Sequence, residues 1–88
     1  MILHTFNKPT ALATAAQFGR AGDRVLLIED GVYALMGEIG LPGVKVSALD
    51  ADVSARGLGG KVKTEIDLVN YEGFVQLCCD ADSISNWF

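Results

Sequence analysis

Apolar residues along the chain fall into short runs broken by glycine, proline and acidic residues, and the spacing within each run predicts its element. Ile2-Leu3-His4-Thr5-Phe6 is rich in β-favouring residues, and Asn7-Lys8-Pro9 then signals a helix start, with Asn7 as cap and Pro9 in the first turn. From Thr10 to Phe18 the residues Ala11, Leu12, Ala15 and Phe18 share one helical face, which Gly19 and Gly22 end. Val25-Leu26-Leu27-Ile28 is an unbroken apolar tetrad, the pattern of a central strand covered on both faces. Val32, Leu35, Met36 and Ile39 follow at i, i+3, i+4 and i+7, predicting a short helix that Pro42-Gly43 cannot continue. Val44 to Leu49 alternates as a strand with one face more exposed, and Asp50 or Asp52 is placed to cap a brief helix through Ala55-Arg56. Glu65 to Val69 is a fourth strand, followed by a helix whose apolar face is Tyr71, Phe74, Val75 and Cys78.

Strand starts near positions 2, 25, 44 and 66, with a helical pattern between each pair, give the βαβ rhythm of a parallel sheet. The expected fold is α/β: residues 1–88 as a single small domain, with a mainly parallel four- or five-stranded sheet and helices on both faces. Strand order is left open by the pattern.

Composition narrows the possibilities. Half of the 88 residues are hydrophobic but few are aromatic, so the core falls to Val, Leu, Ile and Ala, and so small a core makes oligomerisation an expectation from size alone. A formal charge of −4 with no Lys/Arg run argues against direct nucleic-acid binding. No apolar run approaches a bilayer span, the first six residues lack a signal-peptide pattern, and the two adjacent cysteines, Cys78 and Cys79, suit no disulfide scaffold; a reducing cytoplasm is the expected compartment.

In open α/β sheets, ligands sit beyond the carboxyl ends of the strands. Glu29, Asp30, Asp50 and Asp52 fall there and resemble a phosphoacceptor cluster, but ordinary helix capping accounts for them better. Gly57-Leu58-Gly59-Gly60-Lys61 lacks the Ser or Thr of a phosphate-binding loop and reads as a flexible turn. His4, the one histidine, has no identifiable catalytic companion and reads as a hydrogen-bonded structural residue. Sulfur chemistry needs an exposed thiolate lowered in pKa by positive charge or a helix N-terminus. Cys78 lies on the apolar face of the last helix and is expected to be buried, while Cys79 lies beside Glu72 and Asp80 as a boundary residue, so packing is favoured over catalysis for both. No cofactor or metal site is expected.

The ordered set Ile2-Leu3-His4-Thr5, Leu27-Ile28-Glu29-Asp30-Gly31-Val32-Tyr33-Ala34, Ala48-Leu49-Asp50-Ala51-Asp52 with Ala55-Arg56-Gly57-Leu58, and Asn70-Tyr71-Glu72-Gly73-Phe74-Val75-Gln76-Leu77 closing on Trp87 resembles the TusB/DsrH family. The resemblance implies a DsrEFH-like fold and a structural, non-catalytic subunit of a cytoplasmic sulfurtransferase complex that relays persulfide sulfur. It implies a heterohexamer with two homologous small subunits, TusC/DsrF-like and TusD/DsrE-like, one of which carries the principal persulfide cysteine, and a downstream sulfur-acceptor protein. The complex would serve wobble-uridine 2-thiolation of tRNA or dissimilatory sulfur oxidation. Some DsrH-type members carry a further cysteine in the first helix; Thr10 to Phe18 contains none. Candidate subunit contacts are Tyr33, Met36, Trp87 and Phe88, taken as exposed, and the chain expressed alone is expected to form homo-oligomers or to be less stable than in the complex. The competing readings are a persulfide carrier using Cys78 or Cys79 and a free-standing α/β regulatory binding module.

Overall fold

The computed structural model describes residues 1–15 and 20–87. Strands β1 (Ile2–Phe6), β2 (Arg24–Leu27), β3 (Lys45–Leu49), β4 (Asp67–Val69) and β5 (Ser83–Trp87) form a sheet in the order β4-β3-β2-β1-β5. Every neighbouring pair is parallel. The apolar tetrad accordingly lies at the centre: Val25, Leu26 and Leu27 are all buried, while Ile28, just past the strand, is half-buried.

Handedness decides which elements cover which face. Right-handed connections from β1 through β4 step in one direction, which puts α1 (Thr10–Ala15), a 3₁₀ segment (Glu29–Met36) and α2 (Asp50–Ala55) on one side. The return from β4 to β5 crosses the sheet the other way, so α3 (Tyr71–Asp80) lies on the opposite side. Packing follows this division. Phe6, Leu12, Val25, Leu27, Val32, Leu35, Val46, Ala48, Val53 and Leu58 form the larger cluster. Leu3, Leu26 and Leu77 form the smaller one beneath α3, flanked by Met1, Ile28, Val69, Phe74, Cys78 and Ala81.

Several local expectations change. The helix expected at Val32 to Ile39 begins earlier and is a 3₁₀ segment; Gly31, Val32 and Leu35 are its buried residues, whereas Met36 points to solvent and Ile39 lies beyond its end. β3 is buried along Val46 to Leu49, with only Lys45 exposed, so neither of its faces is the more open one expected. The Asn7 side-chain oxygen has no hydrogen-bond partner, so it does not cap α1. On α1, Leu12 is buried and Ala11 half-buried, while Phe18 and Gly19 lie outside the described residues. The tail is a fifth strand pairing parallel with β1, from Ile2 beside Ser83 to Phe6 beside Trp87.

Gly31 fixes the entry into the 3₁₀ segment, since a Cβ there would stand 2.0 Å from the Phe6 carbonyl oxygen and 2.8 Å from its carbon. The Ile28 amide donates to that same oxygen at 2.9 Å, so the backbones cannot separate without losing the bond. Gly31→Ala should therefore destabilise the fold by about 3 kcal/mol or prevent folding, whereas Gly40→Ala, where an added Cβ meets nothing within 4 Å, should change the urea-unfolding midpoint little.

Candidate functional site

The carboxyl ends of the strands gather the acidic residues, and the structure engages Asp30 and Asp52 internally, while Asp50 and Glu29 are exposed. Glu29 has φ 49°, a left-handed conformation rare for a residue with a side chain. Its amide donates to Asp52 Oδ2 at 2.7 Å, so Asp52 holds the start of the 3₁₀ segment instead of capping its own helix, whose cap position, Leu49, makes no side-chain bond. Arg56 Nε donates to Asp30 Oδ1 at 3.0 Å, and its Nη1 lies 3.6 Å from Asp52 Oδ1. These ion pairs hold the Arg56 guanidinium above its ordinary pKa, chiefly through the bond to Asp30. A phosphoacceptor site would need carboxylates free to converge on a cation; among the described residues no group of three or more His, Cys, Asp or Glu side chains is arranged to hold a metal. Asn70, at the end of β4, caps α3 by accepting from the Gly73 amide at 2.9 Å.

His4 is buried between two partners. Its Nε2 lies 3.0 Å from Asp23 Oδ2, and Trp87 Nε1 lies 3.1 Å from its Nδ1. An indole N–H can only donate, so Nδ1 is the acceptor and Nε2 carries the proton that goes to Asp23. Asp23 also accepts from the amides of Ile2, at 3.0 Å, and Arg20, at 3.3 Å. These bonds, the Ile2 amide first and His4 second, hold the Asp23 carboxyl below its usual range. The structural reading of His4 thus acquires a partner that the sequence reading missed. The ring's two nitrogens are both engaged, which leaves it no lone pair or proton to offer a substrate.

Both cysteines lie on α3, whose residues sort into four rows at i, i+4, i+8. Gly73, Leu77 and Ala81 face the sheet; Phe74 and Cys78 are half-buried; Tyr71, Val75 and Cys79 are exposed; Glu72, Gln76 and Asp80 are exposed and polar. The centre of the buried face is therefore at Leu77, not at Cys78. Cys78 is half-buried, not fully buried as expected, because it occupies the shoulder of this face; burial, then the neighbouring Cys79, pushes its thiol above the ordinary pKa. Cys79 is exposed.

Of the expected contact residues, Tyr33 and Met36 are exposed, by 41% and 64%. Trp87 is not: it is half-buried, stacked on Phe6 at a centroid distance of 6.1 Å and bonded to His4, because β5 carries it onto the larger core. Phe88 lies outside the described residues. No described helix is long and apolar enough to cross a membrane.

A parallel sheet in this order, covered on one side by three short helical segments and on the other by one helix, is the DsrEFH-like α/β architecture. Protein Tm0979 from Thermotoga maritima shares it with a TM-score of 0.70 and 26% identity, over 89% of this chain and 91% of that one. The ychN protein from E. coli shares it at 0.67 and 16% identity, over 98% and 97% of the two chains. Residues 7–84 match the family described as DsrH like protein. The chain is 34% identical to Protein TusB of Escherichia coli (strain K12), over 98% of this chain and 100% of the relative, and 39% identical to Protein TusB of Enterobacter sp. (strain 638), over 75% and 76%. The chain belongs to the TusB/DsrH family, a family of sulfur-relay subunits.

The His4 and Asp23 arrangement has a measurable pH signature. A carboxyl whose folded pKa lies below its unfolded value contributes stability that is complete above the unfolded range, about pH 4, and lost as pH falls through the folded value. Asp23→Asn should lower stability at neutral pH and flatten the loss between about pH 4 and 2, as measured by urea unfolding across a pH series. An unchanged acid limb would show that the carboxylate contributes no differential stability.

Proposed function

We propose that the chain is a non-catalytic structural subunit of a cytoplasmic persulfide-relay complex. It assembles with two homologous small subunits, TusC/DsrF-like and TusD/DsrE-like, into a heterohexamer holding two copies of each; one partner carries the principal persulfide cysteine, and the complex hands sulfur to a downstream acceptor protein. The end product is either 2-thiolated wobble uridine in tRNA or the oxidised sulfur of dissimilatory metabolism, and the chain itself touches neither nucleic acid nor membrane. Alone, it forms homo-oligomers or is less stable than in the complex.

The observation that carries this reading is the setting of the thiols in a sulfur-relay family member. A transfer cysteine gains its reactivity from a nearby cation or a helix N-terminus. Both cysteines here lie in the second half of α3, which contains no Lys or Arg, and Cys78 is pushed away from the thiolate by burial. Tyr33 and Met36, both large and exposed, are proposed as contacts with the other subunits.

The test uses the assembled complex. Cys78→Ser should cost on the order of 1 kcal/mol in stability, from placing a hydroxyl at an apolar boundary, and Cys79→Ser should cost little; persulfide transfer to the acceptor should proceed in both. If either substitution abolished transfer while the complex assembled and melted normally, the chain would be a carrier and the structural reading would fall.

A further inference from the structure

The exposed apolar row of α3 is not needed by the fold. Tyr71 and Val75 are 63% and 62% exposed, Cys79 is exposed beside them, and together with Phe74 and Cys78 they line one shallow groove made almost wholly of apolar atoms. The sheet already takes its cover from Leu77 and Ala81, with Phe74 and Cys78 packed at the shoulder. Gly73 lies so close to β4 that an added Cβ would stand 3.1 Å from Val69 Cβ, which fixes how α3 is rotated and keeps the Tyr71, Val75 and Cys79 row turned outward. A row at i, i+4, i+8 is the ridge that enters the groove of another helix. Ile84, in register with Leu3 on the same side of the sheet, is also exposed.

Charge identifies the kind of partner. The row beside the ridge is Glu72, Gln76 and Asp80, with Gln76 Nε2 donating to Asp80 Oδ1 at 2.8 Å, and α3 offers no positive side chain to balance it. A second copy laid antiparallel on the ridge would bring two acidic edges together along one seam, in a chain whose formal charge is already −4. A different subunit with an apolar groove edged by Lys or Arg would satisfy both the ridge and its border. We propose that the Tyr71, Val75 and Cys79 ridge of α3 docks such a basic-edged helical surface on one of the homologous subunits of the relay complex, an inference that rests on the function proposed above. Docking buries Cys79 as part of the contact.

The full-length chain is co-expressed with the two homologous subunits of its own organism, and assembly is measured by size-exclusion chromatography and sedimentation. The wild-type chain should assemble. Val75→Glu should weaken assembly by about tenfold or more while the isolated chain keeps its melting temperature, and Ser54→Glu, on exposed α2 surface across the sheet, should assemble normally. Glu72→Lys combined with Asp80→Lys should slow association by about tenfold at low salt, and iodoacetamide should modify Cys79 more slowly in the complex than in the free chain. Wild-type affinity in Val75→Glu would overturn the ridge as the interface while leaving the relay reading intact. Failure of the wild-type chain to associate with either homologous subunit would overturn the relay reading itself. A Val75-dependent homodimer as tight as the mixed complex would overturn the choice of partner, and association unaffected by the double charge reversal would overturn its basic edge.

Discussion

A parallel sheet hides both its faces from water, because each strand is apolar on both sides and its connections must return across one face or the other. In this chain the two faces are served unequally. Three successive connections coat one of them, and the second depends on α3, from which Leu77 descends onto Leu3 and Leu26. The same connection that supplies this helix delivers β5 to the open edge of β1, so cover for the second face and closure of the sheet arrive together. Their joint is fastened at both ends. The Asp82 amide donates to the Met1 carbonyl at 2.9 Å, and the Met1 ammonium pairs with the Asp82 carboxylate. At the other end Trp87 bonds to His4, and the Thr5 hydroxyl bonds to Asn86.

That economy explains where polar side chains went. Asp23, His4 and Trp87 join the loop before β2 to β1 and β5, while Asp52, Glu29, Asp30 and Arg56 join the loops after β2 and β3. Each polar group ties together loops and strands that lie apart in the sequence. A catalytic centre requires groups whose bonding capacity is left available to a reactant. Here Asp52 is engaged by the Glu29 amide and by Arg56, and Asp30 by Arg56, so these two carboxylates are already bonded within the fold.

The elements most legible in the sequence were those whose side chains carry their own signal. Val25 to Leu27 reads as a central strand because it is apolar on both faces, and it lies in the middle of the sheet. Ser83 to Trp87 has no such pattern: Ser83 and Ser85 share a face with Trp87, and Ile84 shares the other with Asn86, so the strand owes its existence to the unpaired edge of β1. Asp23 was invisible as a partner of His4, since an aspartate ahead of a strand reads as a turn residue. Only the parallel register, with Leu3 beside Arg24, brings it to the histidine. Asp52 was legible as a cap but not as the cap of another segment, because capping rules look along the chain and this bond crosses between loops.

The apolar face of α3 shows why the site was only half legible. Periodicity counts every apolar residue on a helix, whichever neighbour covers it, so Tyr71, Phe74, Val75 and Cys78 gave a face centred away from the sheet. The displacement carries information, because Leu77 and Ala81, with Phe74 and Cys78 at the shoulder, account for the part of the arc that the sheet uses, and Tyr71 and Val75 are left exposed. Read this way, Cys79 follows Tyr71 and Val75 in one i+4 row, and Cys78 follows Phe74 in the next. A thiol is a small, polarisable hydrophobe as well as a nucleophile. The two cysteines stand in rows whose neighbouring members are aromatic or aliphatic, on a helix with no Lys or Arg to draw out a thiolate.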